Sequence, residues 1–176
     1  GNTGEKVSVI GLGSGFLNQH SYTDGVDTVK RALDLGVSYF DTSPLYGQGA
    51  SQAIFGEALQ DRSEPFVLAT KLGHFSQPAS FRAPAALSAQ LDDNLRLLRR
   101  EHIDVLQVHE ADWRAWWSED DRPPGSGALS NPGWRRGHLD PNAGYLLPDH
   151  EYDFASAPIM QYLRDARRQG RCRYIG

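Results

Sequence analysis

Short apolar runs alternate with amphipathic stretches along most of the chain. Residues 6–11 (KVSVIG), 37–40 (VSYF), 66–70 (FVLAT), 103–108 (IDVLQV) and 171–175 (RCRYI) are brief, β-branched or aromatic, and bounded by Gly, Pro or charged residues, so they read as strands. The first is closed by the turn GLGSG at residues 11–15. The stretches between them carry helical spacing. Thr23 or Asp24 can cap a helix running to about Leu35, with Val26, Val29, Ala32 and Leu33 on one face and Gly36 as its stop. Residues 51–59 predict a short helix with Ile54, Phe55 and Leu59 turned inward. Residues 84–100 predict a longer one, opened by Pro84, with Leu87, Leu91, Leu95 and Leu98 in a single stripe. Residues 158–169 are helical again. Between 111 and 155 the pattern breaks into a Gly-, Pro-, Trp- and Asp-rich stretch with no period.

Strand–helix alternation predicts a parallel sheet with helices outside. Right-handed crossovers leave two architectures, an open doubly wound sheet or a (β/α) barrel. The first turn argues against the doubly wound sheet. Gly11 and Gly13 match the opening of G-x-G-x-x-G, but Phe16 stands where the third glycine belongs. Asp41 lies well past the ~20-residue spacing of the acid that accompanies that motif. The expected fold class is α/β, a (β/α)8 TIM-barrel type, incomplete here, with about five strands. Its first and fifth strands would be open edges. The chain starts at Gly1 rather than Met and stops just after the fifth run, so a piece of a longer protein is expected.

Composition narrows the class. A length of 176 residues suits one domain, residues 1–176, with a long insertion at about 111–155, and 39% hydrophobic residues can fill a core. A net charge of −4 gives no basic stripe for nucleic acid. No apolar run is long enough to span a membrane. Cys172 is the one cysteine, which rules out an intrachain disulfide and fits a cytoplasmic setting.

In a barrel, functional groups gather at the C-terminal ends of the strands. Those ends carry Gly13 and Ser14, then Asp41 and Tyr46, then Lys71, then His109. Each alone has an ordinary explanation: Tyr46 as a turn residue, Lys71 as a solvated cation, Asp41 as a turn cap, His109 as a rim histidine. Together they describe one chemistry. A phenol, with a pKa of ~10, is a poor acid near neutrality. A nearby ammonium favours its phenolate, a carboxylate holds that ammonium, and an imidazole can hydrogen-bond a substrate oxygen. That is a proton donor aimed at a carbonyl receiving a hydride. His74, His109, Glu110 and Asp112 lack metal-ligand spacing, and His102, His138 and His150 are scattered, so no metal is expected. Trp113, Trp116, Trp117 and Trp134 lie in the insertion and suit a substrate lid, a sugar-stacking wall, a small core of their own or an interface.

The motifs DTSPLYGQGAS (41–51), FGEAL (55–59), ATKLG (69–73) and IDVLQVH (103–109), in this order and spacing, resemble the aldo-keto reductases, (β/α)8-barrel enzymes that use NADPH. The opening GNTGEKVSVIGLGS and the closing GRCRYIG resemble that family's first strand region and the strand after its fourth helix. The resemblance implies that Tyr46 is the general acid, that Lys71 eases its deprotonation, that Asp41 pairs with Lys71 and that His109 orients the substrate carbonyl. It places Gly13, Ser14 and Asp41 at the nicotinamide end of the cofactor, which is NADPH with NADH as the alternative. It implies a small-molecule carbonyl or sugar as substrate, and puts the residues that choose between the two cofactors beyond Gly176. Three features depart from the family. Gln52 stands where Glu is common, removing a charge near the cofactor side. Residues 99–101 (RRE) replace a Gly-containing turn. The 111–155 stretch is unusually long. The other reading is a non-catalytic or truncated binding or regulatory protein on the same fold, as in the family's channel-associated members.

Overall fold

The structure is a computed structural model that describes residues 3–19, 21–73, 83–109, 155 and 157–176. The 111–155 stretch, Ala155 excepted, and its four tryptophans lie outside the described residues, as do His74, Glu110 and Asp112. Strands β1 (Leu12–Gly13), β2 (Tyr39–Asp41), β3 (Val67–Leu72), β4 (Ile103–Val108) and β5 (Cys172–Ile175) form one parallel sheet. Helices α1 (Tyr22–Asp34), α2 (Ala50–Leu59), α3 (Pro84–Leu98) and α4 (Pro158–Arg168) connect or follow them. The strand order is β1-β2-β3-β4-β5, the same as the order in the chain. A doubly wound sheet reverses at a switch point, and no reversal occurs here; consecutive order is that of a barrel wall. β1 and β5 are the two edges.

The core is the helix–sheet interface. Phe40, Leu68, Leu72 and Leu106 of the strands meet Val29, Ile54, Phe55, Leu87, Leu91 and Leu98 of the helices, all buried. Phe40 meets Phe55 and Phe66 edge-on at centroid distances of 5.7 and 5.8 Å. Of the leucine stripe expected on α3, Leu87, Leu91 and Leu98 are buried and Leu95 packs partly against them.

The first strand falls later than the apolar run suggests. Residues 6–11 are not ladder-paired, and Val9 and Ile10 are 104% and 72% exposed. The backbone N–H groups of Ser8 and Ser38 each donate to the other's Oγ at 2.9 Å, so side chains take the place of ladder bonds there. The α1 cap also differs. It is Ser21, neither Thr23 nor Asp24: an extended residue whose Oγ accepts from the Asp24 N–H at 3.1 Å. Ser21→Ala is expected to lower stability by about 1 kcal/mol, read as a shift of the urea midpoint at constant m-value. At the far end of α3, Arg99 occupies the left-handed conformation that a glycine usually takes, with φ 53°. Its guanidinium bonds Gln60 Oε1 at 2.6 Å, tying this turn to the end of α2.

Candidate active site

β3 extends two residues further than its apolar run because β4 offers partners that far, Lys71 opposite Gln107 and Leu72 opposite Val108. Lys71 is therefore part of the strand, with its side chain on the sheet face opposite the fully buried Thr70 and Leu72. Asp41 is the last residue of β2 and Gly13 the last of β1. Ladder-type bonds continue past the ends of β1, β2 and β4: Ser14 N–H to Asp41 O at 3.0 Å, Thr42 N–H to Ala69 O at 2.9 Å and His109 N–H to Leu72 O at 2.8 Å. The first residue after each of these strands is thus fixed by the sheet.

The expected acid, cation, carboxylate and imidazole come together at this end. Lys71 Nζ donates to Asp41 Oδ1 at 2.6 Å and to the Thr42 carbonyl at 2.8 Å. The two side chains of that ion pair are 13% and 28% exposed, so it sits largely out of water. Lys71 Nζ lies 5.0 Å from the centre of the Tyr46 ring. The Tyr46 and His109 rings meet edge to face, 6.1 Å apart at 89°. Tyr46 opens a short 3-10 turn, Tyr46–Gly49, in which Gly47, Gln48 and Gly49 all take positive φ (61°, 53° and 92°). This left-handed run, eased by its two glycines, turns the chain from Tyr46 straight into α2. Tyr39, two residues before Asp41 on β2, is a poorer candidate acid: burial first, then the Asp41 carboxylate, pushes its phenol above the usual range.

Gly13 and Ser14 lie beside this group, with different surroundings. A Cβ placed on Gly13 would meet nothing within 4 Å, leaving open space over the end of β1. Ser14 is fully buried, donates to Thr42 Oγ1 at 2.8 Å, and its carbonyl accepts from Ser51 Oγ at 2.9 Å.

Gln52, the residue that stands where the family commonly has Glu, lies in the interior. It is fully buried between α2, β3 and α3, its Nε2 donating to Thr70 Oγ1 at 2.9 Å and to Asn94 Oδ1 at 2.7 Å. Asn94 in turn donates to the Lys71 carbonyl at 3.0 Å. The amide Nε2 thus serves two acceptors, which a carboxylate could not, while Gln52 Oε1 is buried without a hydrogen-bond partner among the described residues. Ser43 was overlooked by motif reasoning. It is fully buried, and its Oγ lies 3.2 Å from His109 Nδ1. Its signal was a hydroxyl between the Asp and the Tyr of one motif. At the opposite end of the strands, a cavity of about 450 Å³ is lined by Glu5, Ser38, Glu64, Phe66 and Arg173. Arg173 there pairs with Glu5 and Asp104.

Sequence and structure comparisons give a consistent result. The Aldo/keto reductase family profile matches residues 9–176. An L-galactose dehydrogenase of Arabidopsis thaliana is 33% identical over 120 residues, which cover 64% of this chain and 37% of that protein. The solved glycerol dehydrogenase of Gluconobacter oxydans superposes with a TM-score of 0.61 at 26% identity, over 98% of this chain and 45% of its own. A Klebsiella pneumoniae aldo-keto reductase solved with NADPH shares the fold, with a TM-score of 0.62 at 19% identity over 97% of this chain and 45% of its own. The chain spans less than half the length of each.

Proposed function

Because the chain belongs to the aldo/keto reductase family and forms part of that family's barrel, we propose that the protein carrying it is an NADPH-dependent oxidoreductase. It reduces an aldehyde or ketone to an alcohol, or runs the reverse. The observation that carries this reading is the Lys71–Asp41 pair at 2.6 Å, with its ammonium 5.0 Å from the Tyr46 ring centre, at the strand end that also holds His109. Residues 1–176 are proposed to be one partial barrel domain carrying an insertion at about 111–155.

The nicotinamide, when bound, supplies the hydride. The chain's own residues handle the substrate oxygen. Tyr46 gives its hydroxyl proton to that oxygen. Lys71, held by Asp41 and the Thr42 carbonyl, stabilises the phenolate that remains. His109 donates a hydrogen bond to the same oxygen and fixes its direction. The nicotinamide end of the cofactor is assigned to the side of Gly13, where a Cβ would meet nothing within 4 Å, and Ser14 holds the ends of β1 and β2 together there. The L-galactose and glycerol dehydrogenase relatives favour an aldose or polyol-like substrate for this chain, with NADPH ahead of NADH. The test is NADPH consumption by the full-length protein over a panel of aldehydes and aldoses, with alcohol oxidation as the reverse assay. Turnover of one member supports the reading. Tight cofactor binding with no turnover in either direction would favour a non-catalytic binder on the same fold.

A further inference from the structure

Ser43 stands between Asp41 and Tyr46, and the chemistry above gives it no task. Its side chain is fully buried. Its Oγ accepts from the Leu45 N–H at 3.1 Å and lies 3.2 Å from His109 Nδ1. A main-chain N–H can only donate, so Leu45 occupies an Oγ lone pair and leaves the hydroxyl proton to find an acceptor elsewhere. Among the described residues, His109 Nδ1 is the acceptor within reach of that proton. A buried hydroxyl proton left unpaired is unfavourable, so the bond runs from Ser43 to Nδ1.

We infer that Ser43 is a positioning residue: its buried hydroxyl donates to His109 Nδ1 and fixes the neutral imidazole tautomer with the proton on Nε2. The functional meaning rests on the reductase reading. In this tautomer the other ring nitrogen is a donor, which is what a carbonyl oxygen gathering negative charge requires. The opposite tautomer would present a lone pair to that oxygen and repel it. Two further contacts limit where the ring can lie: the main-chain N–H of His109 donates to the Leu72 carbonyl at 2.8 Å, fixing the backbone that carries it, and the Tyr46 ring packs against it at 89°. The Leu45 N–H bond matters because it restricts where the Ser43 hydroxyl can rotate.

The experiment is ¹⁵N NMR of the histidine rings in the full-length protein, with the His109 signals assigned by their loss in His109→Gln. The unmodified protein is expected to show His109 as the Nε2–H tautomer. Ser43→Ala is expected to move those shifts toward a tautomer mixture and to lower kcat about tenfold, the size of one neutral hydrogen bond, with KM for NADPH unchanged. Ser43→Thr, which keeps the hydroxyl, is expected to restore both. A Ser43 that merely supported the loop would change stability and leave the tautomer alone. An Nδ1–H tautomer in the unmodified protein overturns the inference without any variant. So do His109 shifts and a kcat in Ser43→Ala that match the unmodified protein. Failure of the reductase reading shows separately, as absence of turnover before any substitution.

Discussion

Replacing Tyr46 with Phe in the full-length protein is expected to cut kcat by about 10²–10⁴-fold, the usual contribution of a positioned general acid. The change removes one oxygen and keeps the ring. The ring's edge-to-face contact with His109 and its place beside Lys71 can therefore persist. The Lys71–Asp41 pair also persists, because Lys71 has Asp41 Oδ1 and the Thr42 carbonyl as partners without the phenol. Fold and cofactor affinity should then stay near their original values, as read by circular dichroism and by titration of NADPH fluorescence. A kcat in Tyr46→Phe close to that of the unmodified protein would remove Tyr46 from the mechanism. A large loss of cofactor affinity would assign it to binding instead.

Gly56→Ala should have the largest effect on stability. Gly56 lies in α2 with its Cα against the end of α3: a Cβ there would stand 2.2 Å from the Leu97 carbonyl oxygen, 3.0 Å from the Leu98 carbonyl carbon and 3.1 Å from Leu98 Cα. These are backbone atoms of a helix, so no side-chain rotation relieves the overlap. The two helices must separate, which loosens Phe55 and Leu59 from Leu91 and Leu98. The cost is expected at the upper end of overpacking, about 3 kcal/mol, even though alanine is the better helix former by about 1 kcal/mol. Gly15→Ala is the control, because a Cβ there meets nothing within 4 Å. It should change stability by less than about 0.5 kcal/mol. Chemical denaturation of both variants decides the matter, and equal midpoints would show that α2 and α3 move apart freely.

What was readable in the sequence, and what was not, follows from the range of each interaction. The β2–β4 runs and the leucine stripe of α3 depend on local periodicity, and the structure places them within about two residues. That Tyr46, Lys71, Asp41 and His109 gather in one place was readable, because a parallel sheet brings successive strand ends to one rim. The end of β3 was not, because it is set by the reach of β4 rather than by its own residues. The first strand was misplaced because Ser8 and Ser38, 30 residues apart, replace the ladder with side-chain bonds. The buried setting of Gln52 was not readable, because its partners Thr70 and Asn94 come from two other elements. Ser43 was hidden for the same reason: the imidazole it meets lies 66 positions further along.

The strand order that matches the chain order also bears on how the site is made. Asp41, Tyr46, Lys71 and His109 are all in place by residue 109, each strand pairing with the one synthesised just before it. A ribosome delivers the N-terminal portion first, at ~5–20 residues per second. The rim that carries these four side chains can thus form as its strands emerge, with each loop closure spanning a single helix and strand. Mutations in β2–β4 should therefore act early, on how much protein survives synthesis, and, on the reductase reading, also on turnover.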